Sequence, residues 1–366
     1  MLFEPNRALR YRADVEHQEA AEEATAEELC KTMRGISETT WKDTGHALRS
    51  VHAKSHGLLE GELEVAPDLH GVLAQGLFAK PGRYPVVIRL STIPGDILDD
   101  SVSVPRGMSV KVIGVEGDRL PGSEGDVTQD FVLVNGPTFS AVNSKMFLQN
   151  LKLLAGTTDK AEGVKKALST VLQGAEQLIE AVGGESATIK TLGGAPNTHP
   201  LGDTYYSQAP ILWGDYIAKV SVTPVSDSLR ALKDQHLDTK DRPHALREET
   251  LAYFAQHGGE WDVRVQLCTD LDKMPVENPH KEWPQDESPY LPVGRITVKP
   301  QTAWSEARSR AVDDGLAFTP WHGITAHRPL GSIMRARKRA YEMSARFRAE
   351  HNGIDVIEPK AALNLP

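Results

Sequence analysis

The sequence predicts an α+β fold, in which an antiparallel β-sheet or barrel is interrupted by helical insertions and followed by a long C-terminal helix. Two observations predict it: β-rich segments bounded by turn residues, and stretches of helical texture between and after them. The β-branched or alternating segments are LEGELEV, RYPVVIRLS, RGMSVKVIGV, TQDFVLVN, AKVSVTP, WDVRVQLCT and LPVGRITV. Strands spaced by Gly, Pro and Asp favour an antiparallel sheet or barrel.

The helical segments complete this outline. Residues 12–40 are rich in Ala and Glu and predict an N-terminal helical arm on the surface. SKMFLQNLKLLA and GVKKALSTVLQGAEQLIEAV predict further helices, and a last helix from about Ser332 to Glu350 contains neither Gly nor Pro. HKEWPQDESPYLP is expected to be an irregular, extended loop. Because no linker or repeat divides the rest, we expect an arm at 1–40 and one domain at 41–366.

Composition excludes several classes of protein. The 366 residues carry a formal net charge of −9, which argues against a nucleic-acid partner and against adsorption to an anionic membrane. The N-terminus lacks the apolar core of a signal peptide, and no stretch approaches the length of a membrane span. Cys30 and Cys268 form neither a disulfide framework nor a metal motif. We therefore expect a soluble, cytoplasmic protein.

One face of the C-terminal helix has an unusual composition. Met334, Arg337, Tyr341, Ala345 and Arg348 recur at steps of three or four and share this face. Buried guanidinium groups need anionic partners. The 11 positions from Arg337 to Arg348 correspond to roughly 16 Å of helix. A flat dianionic ligand of about the size of haem could lie across such a face.

Three histidines lie close together in HALRSVHAKSHG. His52 and His56 are four residues apart and could bind zinc on a helix. No acidic third ligand lies nearby in the sequence, and the segment continues directly into a strand. We therefore expect no zinc site, and hydrogen-bonded or solvated side chains for His46 and His56.

Several segments, in the same order, resemble those of haem catalases. RSVHAKSHG is similar to the distal-haem segment of that family, and VVIRLSTIPGD with VPRGMSVKVIGVEG to its next two barrel strands. TQDFVLVNGPTF is similar to the strand and turn with the distal asparagine. KEWPQDESPYLPVGRITV is similar to the loop and strand after the family's helical insertion, and FTPW…RPLGSIMRARKRAY to the run into the proximal helix. The resemblance covers about residues 40–350 and implies a catalase-like β-barrel that binds haem b.

On the proximal side, the resemblance implies that Tyr341 is the axial iron ligand, with Arg337 completing an Arg-x-x-x-Tyr pattern. Tyrosinate ligation is the form of haem binding typical of catalase. Fe³⁺ and the cationic Arg337 would both favour the phenolate. Arg49, Arg89 and Arg348 match the arginines that pair with the haem propionates.

On the distal side, the resemblance identifies His52 as the distal histidine, Asn135 as the distal asparagine and Ser91 as the serine that orients the imidazole. Val51 matches the valine that packs over the haem. In this interpretation His52 moves a proton between the two peroxide oxygens and Asn135 stabilises the developing negative charge. The implied product is a ferryl intermediate, and its reductant distinguishes a catalase from a peroxidase.

Two departures from the family pattern favour a peroxidase. Val104 stands where the resemblance places the channel aspartate of catalases before Pro-Arg-Gly, and we expect neither a wrapping segment nor a C-terminal helical domain after the proximal helix. We therefore expect a haem-dependent peroxidase with weak catalase activity. It would cleave hydrogen peroxide or organic hydroperoxides and oxidise a small electron donor.

Three alternatives remain open from the sequence. The first is a true miniature catalase. The second is a fatty-acid hydroperoxide isomerase like the allene oxide synthases, which carry threonine where this chain has Val51. The third is a haem carrier or sensor without turnover, which would not need His52, Ser91 and Asn135. The reductant, the preferred peroxide and the choice between a monomer and a homo-oligomer also stay open.

Overall fold

The computed structural model describes residues 7–155 and 196–366. Its strands are β1 Ser55–Val65, β2 Arg83–Thr92, β3 Arg106–Ile113, β4 Thr128–Val134, β5 Tyr205–Tyr206, β6 Ile211–Trp213, β7 Tyr216–Pro224, β8 Gly259–Leu267 and β9 Leu291–Val298. Its α-helices are α1 Glu22–Thr44, α2 Ser144–Ala155, α3 Asp227–Arg230, α4 Ala245–Phe254, α5 Glu306–Ser309 and α6 Ser332–Asn352. A π-helix, Arg310–Asp314, continues α5. Short 3₁₀ turns occur at Ala13–Val15, Gly76–Phe78, Pro200–Gly202 and Thr325–His327.

The sheet closes into an antiparallel barrel. The strand order is β5-β4-β3-β2-β1-β9-β8-β7-β6, and β5 also pairs with β7. This second pairing closes a ring of 8 strands, while β6 extends β7 as a short hairpin. Closure leaves these strands without free edges, so their backbone groups pair around the ring. The predicted α+β fold with an antiparallel barrel is confirmed.

Alternation along the strands places the functional side chains outside the barrel. Val86, Ile88 and Leu90 of β2 belong to the main apolar core. Arg89 and Ser91 have the opposite parity and therefore lie on the outer face. Both faces of β2 are nevertheless buried along most of the strand, since helices and loops cover the outer side. The outer face of the β2–β4 region is thus a covered surface that can line an internal cavity.

Helices α1 and α6 form part of this cover. The buried side of α1 carries Leu29, Met33 and Ile36, which pack in one apolar cluster with Ala340 of α6. Helix α1 ends at Thr44, where Gly45 takes a left-handed conformation with φ of 70°. The N-terminal helix therefore extends past residue 40, and one of its faces is buried.

Every strand segment identified from the sequence forms a strand, and the loop up to Tyr290 is irregular, as predicted. The short strands β5 and β6 went unpredicted, because two or three residues carry no readable periodicity. The final helix is confirmed near its predicted bounds. The predicted helix GVKKALSTVLQGAEQLIEAV lies outside the described residues. Within the described ranges, no helix combines the length and the apolar character needed to cross a membrane.

Candidate active site

Two cavities lie between the outer face of the barrel and the covering helices. Their volumes are about 200 Å³ and about 660 Å³. Both cavities are lined by Met33, Val51, His52, Val132 and Tyr341. The predicted distal histidine and the predicted proximal tyrosine thus face the same internal space.

His52 is held in an unusual backbone conformation. It lies in the loop between α1 and β1 with φ of 56°, a left-handed value that is uncommon for a residue with a side chain. Its backbone N–H donates to the carbonyl of Ile93, at 2.6 Å, which ties the loop to the end of β2. Its Nδ1 lies 3.0 Å from Ser91 Oγ. The loop and β2 together fix where the imidazole points.

A glycine makes room for this imidazole. Gly107, on β3, pairs with Ser91 across the ladder. A Cβ at Gly107 would lie 2.6 Å from the ring of His52, closer than real side-chain contacts. The absence of a side chain at position 107 therefore permits the observed ring position.

His52 is neutral at ordinary pH in this setting. Burial, followed by the nearby Arg89, Arg337 and Arg49 guanidiniums, lowers its pKa to about 3. Both influences disfavour the imidazolium. With Nδ1 engaged by Ser91, Nε2 is the nitrogen left to exchange a proton.

Asn135 follows β4 and lines the larger cavity. Its Oδ1 accepts a hydrogen bond from the backbone N–H of Arg106, at 2.7 Å. Its Nδ2 donates to Asp203 Oδ2, at 3.1 Å. The amide is therefore anchored at both ends, and one of its two N–H groups is committed to a carboxylate.

The cavity face of α6 carries the phenol with a cation beside it. Arg337 Nη2 donates to Tyr341 Oη, at 2.5 Å, and Nη1 contacts Met334 Sδ, at 3.3 Å. Arg337 is buried. The phenol oxygen therefore accepts a hydrogen bond from a charged donor. Four of the five residues predicted to share this face, Arg337, Tyr341, Ala345 and Arg348, line the cavities, whereas Met334 is buried and lines neither.

Three arginines meet at the smaller cavity around one carboxylate. Arg89 Nε donates to Asp313 Oδ1, at 2.6 Å, and Arg49 Nη1 lies 3.3 Å from the same oxygen. Arg348 donates to the carbonyls of Ser344 and Leu316, each at 3.2 Å. The guanidiniums of Arg89 and Arg49 hold the pKa of Asp313 at about 2, despite burial. Asp313 is therefore anionic.

This cluster retains unbalanced positive charge. The buried Nε of Arg348 has no hydrogen-bond partner. The pKa of Arg348 is lowered to about 10, mainly by burial and then by repulsion from Arg89. The pKa of Arg49 is also lowered, mainly by burial and then by repulsion from Arg348. Buried, like-charged groups of this kind need anionic partners. A dianionic ligand would supply them, so the cluster fits the two propionates of a haem.

The other histidines of the N-terminal segment do not join His52. His46 Nε2 contacts Asp314 Oδ1 at 2.9 Å, and His56 Nε2 contacts Thr92 Oγ1 at 3.3 Å. Among residues 7–155 and 196–366, no group of three His, Cys, Asp or Glu residues is arranged to hold a metal ion.

Val104 does not shape the cavity. It is buried and is not among the residues that line either space. The wall of the larger cavity carries an acid from another segment, Asp203, paired with Arg106 at 2.7 Å.

Four residues of the site were not predicted from the sequence, namely Arg106, Gly107, Asp203 and Asp313. Arg106 and Gly107 belong to the Pro-Arg-Gly segment. The glycine of this segment is the available signal, because a residue without a side chain lets a neighbouring group approach the backbone closely. Asp313 lies on a π-helix, a feature that often marks functional sites but has no sequence signature. Asp203 reaches the site only through the barrel closure at β5.

Comparison with known proteins agrees with this architecture. No protein-family model matches the sequence, and a search of curated proteins finds no match. Among solved structures, the chain is similar to a fungal catalase, with a TM-score of 0.60 and 17% identity over 90% of this chain and 65% of that chain. It is also similar to catalase A from Saccharomyces cerevisiae, with a TM-score of 0.60 and 21% identity over 90% of this chain and 67% of that chain. For a bacterial catalase, the TM-score is 0.54 and the identity 17%, over 90% of this chain and 62% of that chain.

The class of fold follows from these matches. The chain spans about two thirds of the length of the catalases that it matches. At these identities, the likeness establishes the architecture. The chain has a catalase-like α+β fold, and the resemblance seen in its sequence is confirmed at the level of the fold.

Proposed function

We propose that this protein is a haem-dependent peroxidase that cleaves hydrogen peroxide or organic hydroperoxides. The observation that carries the proposal is the meeting, around one internal space, of a neutral histidine oriented by Ser91 and a tyrosine held by Arg337. The catalase-like fold supports an oxidoreductase that acts on peroxide. We further propose a cytoplasmic protein in which residues 41–366 form the haem-binding domain and residues 1–40 an arm.

Haem b is the cofactor that the site fits. Tyr341 would bind its iron, and the propionates would pair with the cluster of Arg49, Arg89 and Arg348. Val51 would pack against the distal side of the ring. When bound, haem supplies a redox-active iron that can accept an oxygen atom from a peroxide.

The residues of the distal side handle the proton and the charge. In the tautomer whose Nδ1–H donates to Ser91 Oγ, the lone pair of Nε2 of His52 would accept a proton from one peroxide oxygen and return it to the other. The free N–H of Asn135 donates to the oxygen that gains negative charge. Arg337 donates a hydrogen bond to the Tyr341 oxygen that would bind the iron.

Apolar side chains on the wall of the larger cavity favour organic hydroperoxides as substrates. Phe139, Phe147 and Leu151 contribute apolar wall, and the two phenylalanine rings contact edge to face, with centroids 5.0 Å apart. An alkyl group would be stabilised there by burial of its apolar surface.

The experiment that tests the proposal measures two products from one haem-loaded sample. Oxygen evolution from hydrogen peroxide reports catalase activity, and oxidation of a small phenolic dye with hydrogen peroxide or cumene hydroperoxide reports peroxidase activity. We expect dye oxidation with both peroxides and weak oxygen evolution. Rapid oxygen evolution without dye oxidation would instead identify a true catalase, and haem binding without either activity would identify a carrier.

A further inference from the structure

We infer that Asp203 and Arg106 form a positioning pair that fixes the amide of Asn135 in the orientation needed to donate to a peroxide. The inference rests on the proposed function and adds to it two residues outside the distal set predicted from the sequence. Its basis is a closed set of hydrogen bonds around one side chain.

The carboxylate of Asp203 joins the other two residues. Its Oδ2 accepts from Arg106 Nε, at 2.7 Å, and from Asn135 Nδ2, at 3.1 Å. The backbone of Arg106 completes the set, since its N–H donates to Asn135 Oδ1, at 2.7 Å, and its carbonyl accepts from the backbone N–H of Asn135, at 2.9 Å. Side chain and backbone of Asn135 are therefore held by the same two partners.

This arrangement forbids rotation of the amide by half a turn. A flipped Asn135 would place Oδ1 against the carboxylate of Asp203 and Nδ2 against the backbone N–H of Arg106. Both contacts would be repulsive, since each would bring like partial charges together. The second N–H of Asn135 is therefore the one available to the cavity.

Arg106 compensates the negative charge of the Asp203 carboxylate beside the site. A bare anion beside the site would oppose the negative charge that develops on a peroxide oxygen. Arg106 is 2% exposed, and its remaining donors bind the carbonyl of Pro196, at 3.1 Å, and Thr198 Oγ1, at 2.8 Å. The buried guanidinium offsets the charge of Asp203, so the carboxylate orients the amide without adding net charge.

Barrel topology brings the three residues together. Arg106 begins β3, Asn135 follows β4 and Asp203 precedes β5, and these strands are neighbours in the sheet. The register places Gly107 of β3 opposite both Ser91 of β2 and Val134 of β4. The same strand ends therefore position the amide and the His52–Ser91 pair.

The test compares Asp203→Asn with Asp262→Asn. Asp262 is a buried acid that is likewise bound by arginine, with Arg295 Nη2 at 2.9 Å, but it does not line either cavity. In haem-free protein with ¹⁵N-labelled asparagine, we expect Asp203→Asn to shift the side-chain resonance of Asn135 and to speed its hydrogen exchange about 10- to 100-fold, the factor expected for loss of one charge-assisted hydrogen bond. Asp262→Asn should leave both unchanged.

The second arm measures the rate of peroxide consumption in haem-loaded protein. Asp203→Asn should lower this rate about tenfold or more, and should have less than about a twofold effect when Asn135 is already alanine, because coupled residues are not additive. If Asp203→Asn does not fold, Asp203→Glu, which keeps the charge but moves it by one methylene, is expected to give the same pattern. An equal loss in both backgrounds, or an unchanged Asn135 resonance, would overturn the inference. A wild-type protein that does not consume peroxide would overturn the proposed function, while the resonance would still decide the positioning role.

Discussion

At the scale of single residues, the site depends on a histidine that is held in an unfavourable backbone conformation. His52 has a left-handed backbone and its ring lies over a residue without a side chain. Strained positions of this kind persist only where the surrounding structure fixes them. Here the fixing contacts are the backbone bond to Ile93 and the side-chain contact with Ser91.

Gly107→Ala tests whether the ring position matters. The added methyl group would lie 2.6 Å from the imidazole, so the ring must move away from its contact with Ser91. We expect haem binding to persist while peroxide consumption falls at least about tenfold, within the range that acid–base groups contribute. Gly35→Ala is the control, since a Cβ there meets nothing within 4 Å. Equal activity of the two variants would contradict the role of the ring position.

The low pKa of His52 predicts that kcat/KM for hydrogen peroxide does not fall as the pH is lowered from 7 to about 5. Its imidazole titrates at about 3 rather than near 6.5, so the neutral, proton-accepting form persists as the pH falls from 7 to about 5. We expect kcat/KM for hydrogen peroxide to stay constant, within about twofold, over this range. A loss of rate with an apparent pKa near 6.5 would mean that another histidine, or an exposed His52, carries the proton.

At the scale of elements, the π-helix Arg310–Asp314 divides two neighbouring acids between different partners. Asp313 faces Arg89 and Arg49, with further hydrogen bonds from Ser55 and Ser309, each at 2.7 Å. Asp314 instead meets His46. One extra residue in the turn changes the direction of successive side chains, and this supplies the arginine cluster with its internal counter-ion.

Asp313→Asn tests the charge balance of this cluster. The folded-state pKa of about 2 lies below the ordinary 3.8, so ionised Asp313 contributes stability that is present above pH 4 and is lost as the pH falls towards 2. The variant should lose about 2 kcal/mol or more at pH 7 in the haem-free state. Haem brings two carboxylates, so the rise in Tm on adding haem should be larger than in the wild-type protein.

Asp314→Asn is the control for this comparison, since Asp314 is the adjacent acid and contacts His46 rather than an arginine of the cluster. Thermal unfolding with and without haem measures both effects. An equal rise in Tm for Asp313→Asn and the wild-type protein would mean that the arginine cluster does not receive the propionates.

At the scale of the whole molecule, the sequence predicted the features that depend on residues close together in the chain. Strand periodicity predicted the long strands, and the spacing of Arg337, Tyr341 and Arg348 predicted the cavity face of α6. Asp203 could not be predicted, because its place depends on the pairing of β5 with both β4 and β7. The burial of Met33 of α1 in the cavity wall depends likewise on long-range packing.

The measurement that tests the central claim most directly is the rate of hydrogen peroxide consumption by haem-loaded wild-type protein and its His52→Ala variant. We expect the variant to keep its haem and to lose 10²–10⁴-fold in rate, the usual contribution of a general acid–base group. His46→Ala is the control, because His46 is half exposed and contacts Asp314 instead of the cavity. Wild-type rates in His52→Ala, or an equal loss in His46→Ala, would contradict the account.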